Sequence, residues 1–421
     1  MTYNRPVPIS PESPLTAPAV ARKSSKAPQP DALLAAACGI VATDGLTGLT
    51  LRPLAAALGV SVTVLSTHYG ARADVIAAIC NAACAHDATM LAEWRAMLAS
   101  LGTLAPLTAA DLAEAILEDC VTHQRALSML YLELLHACTW DDTLPPAFAA
   151  WAAARRGFWG ELAICAGLAP ALHDWWHGYT IAELAYGMVL EPMPAYRMLR
   201  RLCLRRLFAG GTAPQPASGD SALLAVLLPG MRHADNAGDV AADAAAWPAQ
   251  AARVCGIRLA AQGVGGLTHR AIAAEVGISH TTLSYRFPTQ NDLVVAGLEY
   301  IVTHILAAVD ADSLDELQRR RLAGDGPQLD LARANFAVAL AAARMPDLAP
   351  YTANLRSRRG NNLVKVFARY LPGTPGIDAL CAQVVSLGLT GVTMTQPPGA
   401  ASEQAVAAAF TAAAKWLARQ A

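Results

Sequence analysis

Two helix-length stretches carry side chains suited to reading the edges of base pairs. "SHTTLSYRF" (279–287) sets Ser279, His280, Thr281, Thr282, Ser284, Tyr285, Arg286 and Phe287 over about two helical turns, so donors and acceptors recur on one face. "SVTVLSTHY" (61–69) offers Ser61, Val62, Thr63, Val64, Ser66, Thr67, His68 and Tyr69, a set better matched to thymine methyl groups than to bidentate hydrogen bonds. Other chemistry finds little support. There is no Gly-x-Ser-x-Gly and no phosphate-binding loop, and "GVGG" at Gly263 lies between helices rather than after a strand. His173 and His177 have a ligand-like i,i+4 spacing, but no Glu or third His supports them. No catalytic residue, metal or cofactor is therefore expected.

The elements that hold these side chains are repeated. Residues 50–75 and 268–293 align without a gap at a constant offset of 218, and ten of the 26 positions are identical. Each copy has the layout of a helix-turn-helix. Thr50 and Thr268 stand where a hydroxyl can cap the first helix, and Ser61 and Ser279 stand likewise before the second. Ala55 and Ala273 let two crossing helices approach. Gly59 and Gly277 fall at the sharp turn, where a positive φ is costly for any residue with a Cβ. Leu65 and Leu283 face inward. The block extends upstream, where "DGLTGLT" (44–50) matches "QGVGGLT" (262–268) at the same offset.

"GVSVTVLSTHYGARADV" and "GISHTTLSYRFPTQNDL" resemble the DNA-binding segment of the TetR (tetracycline repressor) family of bacterial regulators. With the preceding helix the resemblance covers roughly residues 31–80 and 248–300. It implies a transcriptional regulator, usually a repressor, that leaves double-stranded operator DNA when a small molecule binds. The tyrosine that the family usually places after the recognition-helix Leu is Ser66 in one copy and Ser284 in the other. The lysine usual at the start of the fourth helix is Arg72 in the first copy and Gln290 in the second. Phosphate contacts supply much of the affinity, so both departures imply a modified footprint. The copies also differ in charge. Arg253, Arg258, Arg270 and Arg286 lie in the second, against only Arg52 and Arg72 in the first. Two unlike half-sites are expected, the second repeat contributing more.

At 421 residues, with 54% hydrophobic and 15% charged residues, the chain calls for more than one core. Helical spacing without strand alternation gives an all-α class. The resemblance implies two tandem TetR-like units within it, each a helix-turn-helix domain followed by a helical ligand-binding and dimerisation domain. The expected divisions are a Pro-rich disordered tail (1–30), helix-turn-helix domain 1 (31–80), ligand-binding domain 1 (81–208), a linker (209–246), helix-turn-helix domain 2 (247–300) and ligand-binding domain 2 (301–421). The tail ends in a basic cluster, Arg22, Lys23 and Lys26, able to lie along phosphates or a minor groove. The last two helices of each half (about 170–190 with 195–208, and 377–395 with 402–419) are expected to form a four-helix bundle, making the chain an intramolecular pseudo-dimer. The net charge of −1 neither demands nor excludes a polyanion. Nine scattered cysteines without metal-type pairs, no secretory signal and no apolar run of membrane-spanning length point to a cytoplasmic protein without a membrane partner.

Trp140, Trp151, Trp159, Trp175, Trp176 and Tyr179 concentrate in the first half, with His136, His173 and His177 among them. Flat rings around a helical cavity suit an apolar or aromatic effector. Core packing is the competing use of the same residues. The other functional reading is a helical ligand- or partner-binding protein in which one or both helix-turn-helix modules no longer bind DNA.

Overall fold

The computed structural model describes residues 27–210, 218–232, 247–309, 330–370, 378–396 and 399–418. Nineteen α-helices and no strand occur among them. The first half runs α1 (Pro30–Gly48), α2 (Leu51–Ala57), α3 (Val62–Tyr69), α4 (Arg72–Leu101), α5 (Pro106–Val121), α6 (Arg125–Ala137), α7 (Pro145–Cys165), α8 (His173–Leu190) and α9 (Pro194–Ala209). After α10 (Ser218–Met231), the second half runs α11 (Trp247–Gln262), α12 (His269–Val276), α13 (His280–Arg286), α14 (Gln290–Val309), α15 (Leu331–Arg344), α16 (Ala349–Ser357), α17 (Asn361–Tyr370), α18 (Ala379–Met394) and α19 (Ala400–Leu417). Proline opens α5, α7 and α9, where its missing N–H has no intrahelical partner to lose.

The halves share a core. The larger apolar cluster joins α1–α10 to residues of α15–α19, and a smaller one is built from α11–α16. Among the described residues the most extensive packing is between α8 and α18. It depends on glycine: a Cβ at Gly391 would overlap the Gly178 backbone, and one at Gly388 would overlap the Trp175 ring. Helices α9 and α19 flank this crossing, and the Trp416 Nε1 donates to the Leu207 carbonyl at 2.8 Å. The expected four helices thus pack on one another. Ionic groups are buried here too. Arg356 of α16 donates to Glu183 of α8 at 2.7 Å, with both side chains fully buried. Arg200 bridges Glu114 at 2.9 Å and Glu191 at 2.5 Å.

Two expectations need correcting. Residues 218–231, inside the expected linker, form α10, whose Leu224 and Met231 are buried where it packs on α9 and α16. The run "ALLAVLL" is an apolar helix face that needs cover, so it cannot serve as tether. Helices α1 and α4 are also long and apolar enough to cross a membrane by length and composition. Much of that hydropathy comes from alanine, and Asp31 and Asp44 in α1 and Asp87 and Glu93 in α4 interrupt the apolar runs. In the fold, Leu33, Ala37 and Val41 of α1 are buried where it meets α6 and α4, and Asp87 of α4 is ion-paired within the core. The basic cluster at Arg22, Lys23 and Lys26 lies outside the described residues.

Candidate nucleic-acid interface

The two repeated corners share their turn and most of their capping bonds. Gly59 has φ +66° and Gly277 φ +77°. The N–H of Val60 donates to Ala55 O at 3.0 Å, and that of Ile278 to Ala273 O at 3.0 Å. Ser61 Oγ accepts from Val64 N at 3.1 Å and Ser279 Oγ from Thr282 N at 3.0 Å. Asp74 accepts from Ala71 N at 2.9 Å and Asp292 from Thr289 N at 2.7 Å. The Thr289 hydroxyl also donates to Asp292, and these bonds hold that carboxyl below its ordinary range. Ala55, Ala273, Leu65 and Leu283 are all buried at the helix crossings. Each pair of equivalents is separated by the repeat offset, so the sequence match is a match of structure. One expectation holds in one copy only. Thr268 Oγ1 caps Ala271 N at 3.3 Å, whereas Thr50 occupies the cap position without a side-chain bond.

The second helices of the corners, α3 and α13, expose unequal faces. On α13, His280, Thr281, Thr282, Tyr285 and Arg286 are exposed, and Ser284 is half-buried. Tyr285 is 91% exposed, the extreme value among large hydrophobic side chains described. On α3, Val62, Thr63, Thr67 and His68 are exposed, and Ser66 is half-buried. Arg52, Arg72, Thr50, Thr268 and Arg270 lie exposed at the flanks.

Several expected contact residues face elsewhere. Phe287 is 9% exposed and packs edge-on against Trp247, so its ring belongs to the module's core. Val64 is half-buried against the core. The half-buried Tyr69 donates its hydroxyl to Pro28 O at 2.8 Å, which ties the segment before α1 to the end of α3. Gln290, standing where the first copy has Arg72, donates to Val264 O and Leu267 O at 3.3 and 3.0 Å. Arg258 is paired with Glu275 at 2.8 Å, which neutralises one of the second module's cations.

Sequence reading missed His269. Its Nε2 lies 2.6 Å from Phe287 O and its ring 5.8 Å from that of His280, so it braces α13 from the start of α12. The signal was present: Leu51 stands at the equivalent place, and an apolar-to-His change at a helix start marks a new polar contact.

The aromatic set builds packed core. Trp151 Nε1 donates to Asp87 at 2.8 Å, and Arg155 donates to the same carboxylate at 2.6 and 2.9 Å. Trp176 Nε1 donates to Trp159 O at 2.9 Å, and its ring meets those of Trp159, Tyr179 and Phe208. Tyr179 donates to Glu183 at 3.0 Å. Trp175 is fully buried against Gly388. A cleft of about 1110 Å³ opens elsewhere, among Asp31, His86, Trp94, Glu118 and His123, and none of the six aromatics lines it. Trp140 alone of the six borders another cavity, of about 110 Å³, with Gly45, Arg72, Glu133, Gly263 and Arg344. Burial holds His177 and His136 neutral, each pushed down to about 3. Among the described residues no cluster of His, Cys, Asp or Glu could hold a metal ion.

The segments leading into the two corners also meet each other. Gly265 abuts the Thr47 side chain, and these two are themselves equivalent positions of the repeat. The two modules therefore stand side by side. Comparison with known protein families finds no match for this chain, and comparison with curated proteins finds none either.

Proposed function

We propose that the chain is a sequence-specific DNA-binding transcriptional regulator of the TetR type, acting as a repressor. It binds an asymmetric operator as a single-chain pseudo-dimer in the bacterial cytoplasm, has no catalytic role, and is released by a small, largely apolar or aromatic effector. The observation that carries the reading is the pairing of two corners with the same turn, caps and inward residues. The segments leading into them touch at equivalent positions, Thr47 and Gly265, while the corners expose different side chains. Helix-turn-helix dimers place two recognition helices in successive major grooves, about 34 Å apart. Here both members of such a pair lie in one polypeptide and have diverged. The exposed Tyr285, Arg286 and His280 suit a G-containing half-site, and Val62, Thr63 and Thr67 suit a T-rich one. In the state described, the aromatic residues of the first half are closed on one another, so an effector entering there must part them.

The test is a mobility shift at low salt, using the DNA upstream of the coding sequence and sites selected from a random duplex library. Arg286→Ala is expected to weaken specific binding about 5- to 150-fold, the worth of one good base contact. His68→Ala should cost less. Failure of the wild-type chain to bind any duplex at low salt would leave the second reading, a helical ligand- or partner-binding protein. The single feature favouring that reading is the first corner, whose exposed α3 face carries no arginine or lysine.

A further inference from the structure

We infer that the contact between the two helix-turn-helix modules acts as a ruler, fixing one half-site spacing in the operator. This rests on the DNA-binding reading above and assigns Thr47, Gly265, Glu133 and Arg344 as positioning residues for it.

The kink at Gly45 near the end of α1 and the turn at Gly263 after α11 share one backbone conformation, with φ +67° and +63°. Each leans on a helix end from the opposite half. The space where Gly45 would carry a Cβ is faced by the Arg344 guanidinium at 3.3 Å, and that of Gly263 by the Trp140 ring at 3.7 Å. Between them Thr47 meets Gly265, with the Thr47 Cβ 3.2 Å from where a Gly265 Cβ would stand. Contact between equivalent positions, each flanked by a reciprocal contact, is the pattern of a local two-fold axis. That axis passes between the modules at the level of their first loops.

The surroundings make the junction stiff. Arg344 is ion-paired to Glu133 across the halves, both side chains being about nine-tenths buried. The second Glu133 oxygen accepts from Leu46 N at 3.4 Å, next to the Gly45 kink. His136, one turn along α6, packs against Trp140 and against Phe336 of α15, with ring centroids 4.5 and 5.8 Å apart. Helix α6 thus supports α1 of its own module while also contacting α15, which supports α11. Each module is fixed to the other directly at Thr47 and Gly265 and indirectly through the α6–α15 pair.

A fixed separation has a sharp consequence on DNA. One added base pair moves a half-site about 3.4 Å along the axis and rotates it by about 34°. A junction without slack cannot follow that rotation and keep both α3 and α13 in their grooves.

The experiment takes the full chain and its selected operator, and builds a series in which the centre is lengthened or shortened by one and two base pairs. The wild type is expected to bind the parent spacing at least tenfold more tightly than any other. Gly265→Val places methyl groups against Thr47 and should shift or broaden the preferred spacing. Arg344→Met, which removes the cross-half ion pair while keeping most of the volume, should broaden it to within about threefold across the series. Thermal unfolding of each variant separates loss of the junction from loss of the fold. The Thr47→Val substitution keeps the shape of the side chain and should retain the wild-type profile if sterics set the ruler. A wild-type profile flat to threefold from minus two to plus two base pairs overturns the inference while leaving DNA binding intact. Absence of binding to any duplex overturns the DNA-binding reading itself, and the ruler with it.

Discussion

Arg356→Met offers the most direct test of how the halves are held together. Arg356 is fully buried and reaches from α16 into the first half, donating to Glu183 of α8 at 2.7 Å, and it also donates to Gln383 of α18 at 2.6 Å. Methionine fills most of the space but leaves the Glu183 carboxylate buried without its cation. Breaking a buried pair from one side costs about 3–5 kcal/mol. Two groups offset part of this, because Tyr179 and Tyr196 still donate to Glu183 at 3.0 and 2.9 Å. The expected loss is therefore near the lower end, about 3 kcal/mol. The double change Glu183→Gln with Arg356→Met removes both charges and should return to within about 1 kcal/mol of wild type, since a neutral pair avoids the desolvation penalty. Urea unfolding followed by tryptophan fluorescence measures both values in one series. A loss below about 1 kcal/mol for the single change, or a double variant no better than the single, would refute this account of the interface.

Two further outcomes follow from the same reasoning. His136 and His177 are held neutral when folded, at about 3, but titrate near 6.5 when unfolded, so the unfolded chain binds more protons as pH falls. Stability is fully present above pH 6.5 and declines below it, by about 2 kcal/mol per histidine at pH 5; urea midpoints measured from pH 7 to 5 should fall less steeply in His136→Gln or His177→Gln. Gly277 adopts φ +77° with open space around it, so Gly277→Ala should destabilise its corner by about 1–2 kcal/mol through backbone strain alone. Amide exchange in α12 and α13 reads that change locally, and unchanged or slower exchange would contradict it.

Much of the local structure was legible in the sequence because its causes are local. Glycine at a left-handed turn, serine before a helix and alanine at a helix crossing each act over a few residues. Their recurrence at one offset therefore predicted two like corners, and the hydrogen bonds of Ser61 and Ser279 bear that out. Helical periodicity fixed the all-α class for the same reason. Other assignments failed where residue type alone could not decide. Phe287 and Tyr285 are two aromatics on one short stretch, yet one is buried against Trp247 and the other stands in solvent. Only the direction each side chain takes from α13 separates them. The tryptophans could line a cavity or fill a core, and it is the partners Asp87, Phe208 and Gly388, far away in sequence, that make them core. The run in α10 looked like an interruption in a linker until α9 and α16 provided a surface for it.

The sequence by itself determined that the same corner is built twice and that its two exposed helices carry different chemistry. Tertiary structure decided where those corners stand. Thr47 against Gly265, Arg344 over Gly45 and Arg356 beside Glu183 join residues more than 170 positions apart, and no local pattern around either partner shows that the two will touch. Local rules come from backbone sterics and nearest-neighbour hydrogen bonds. The relation between modules comes from surfaces that exist only after both have folded.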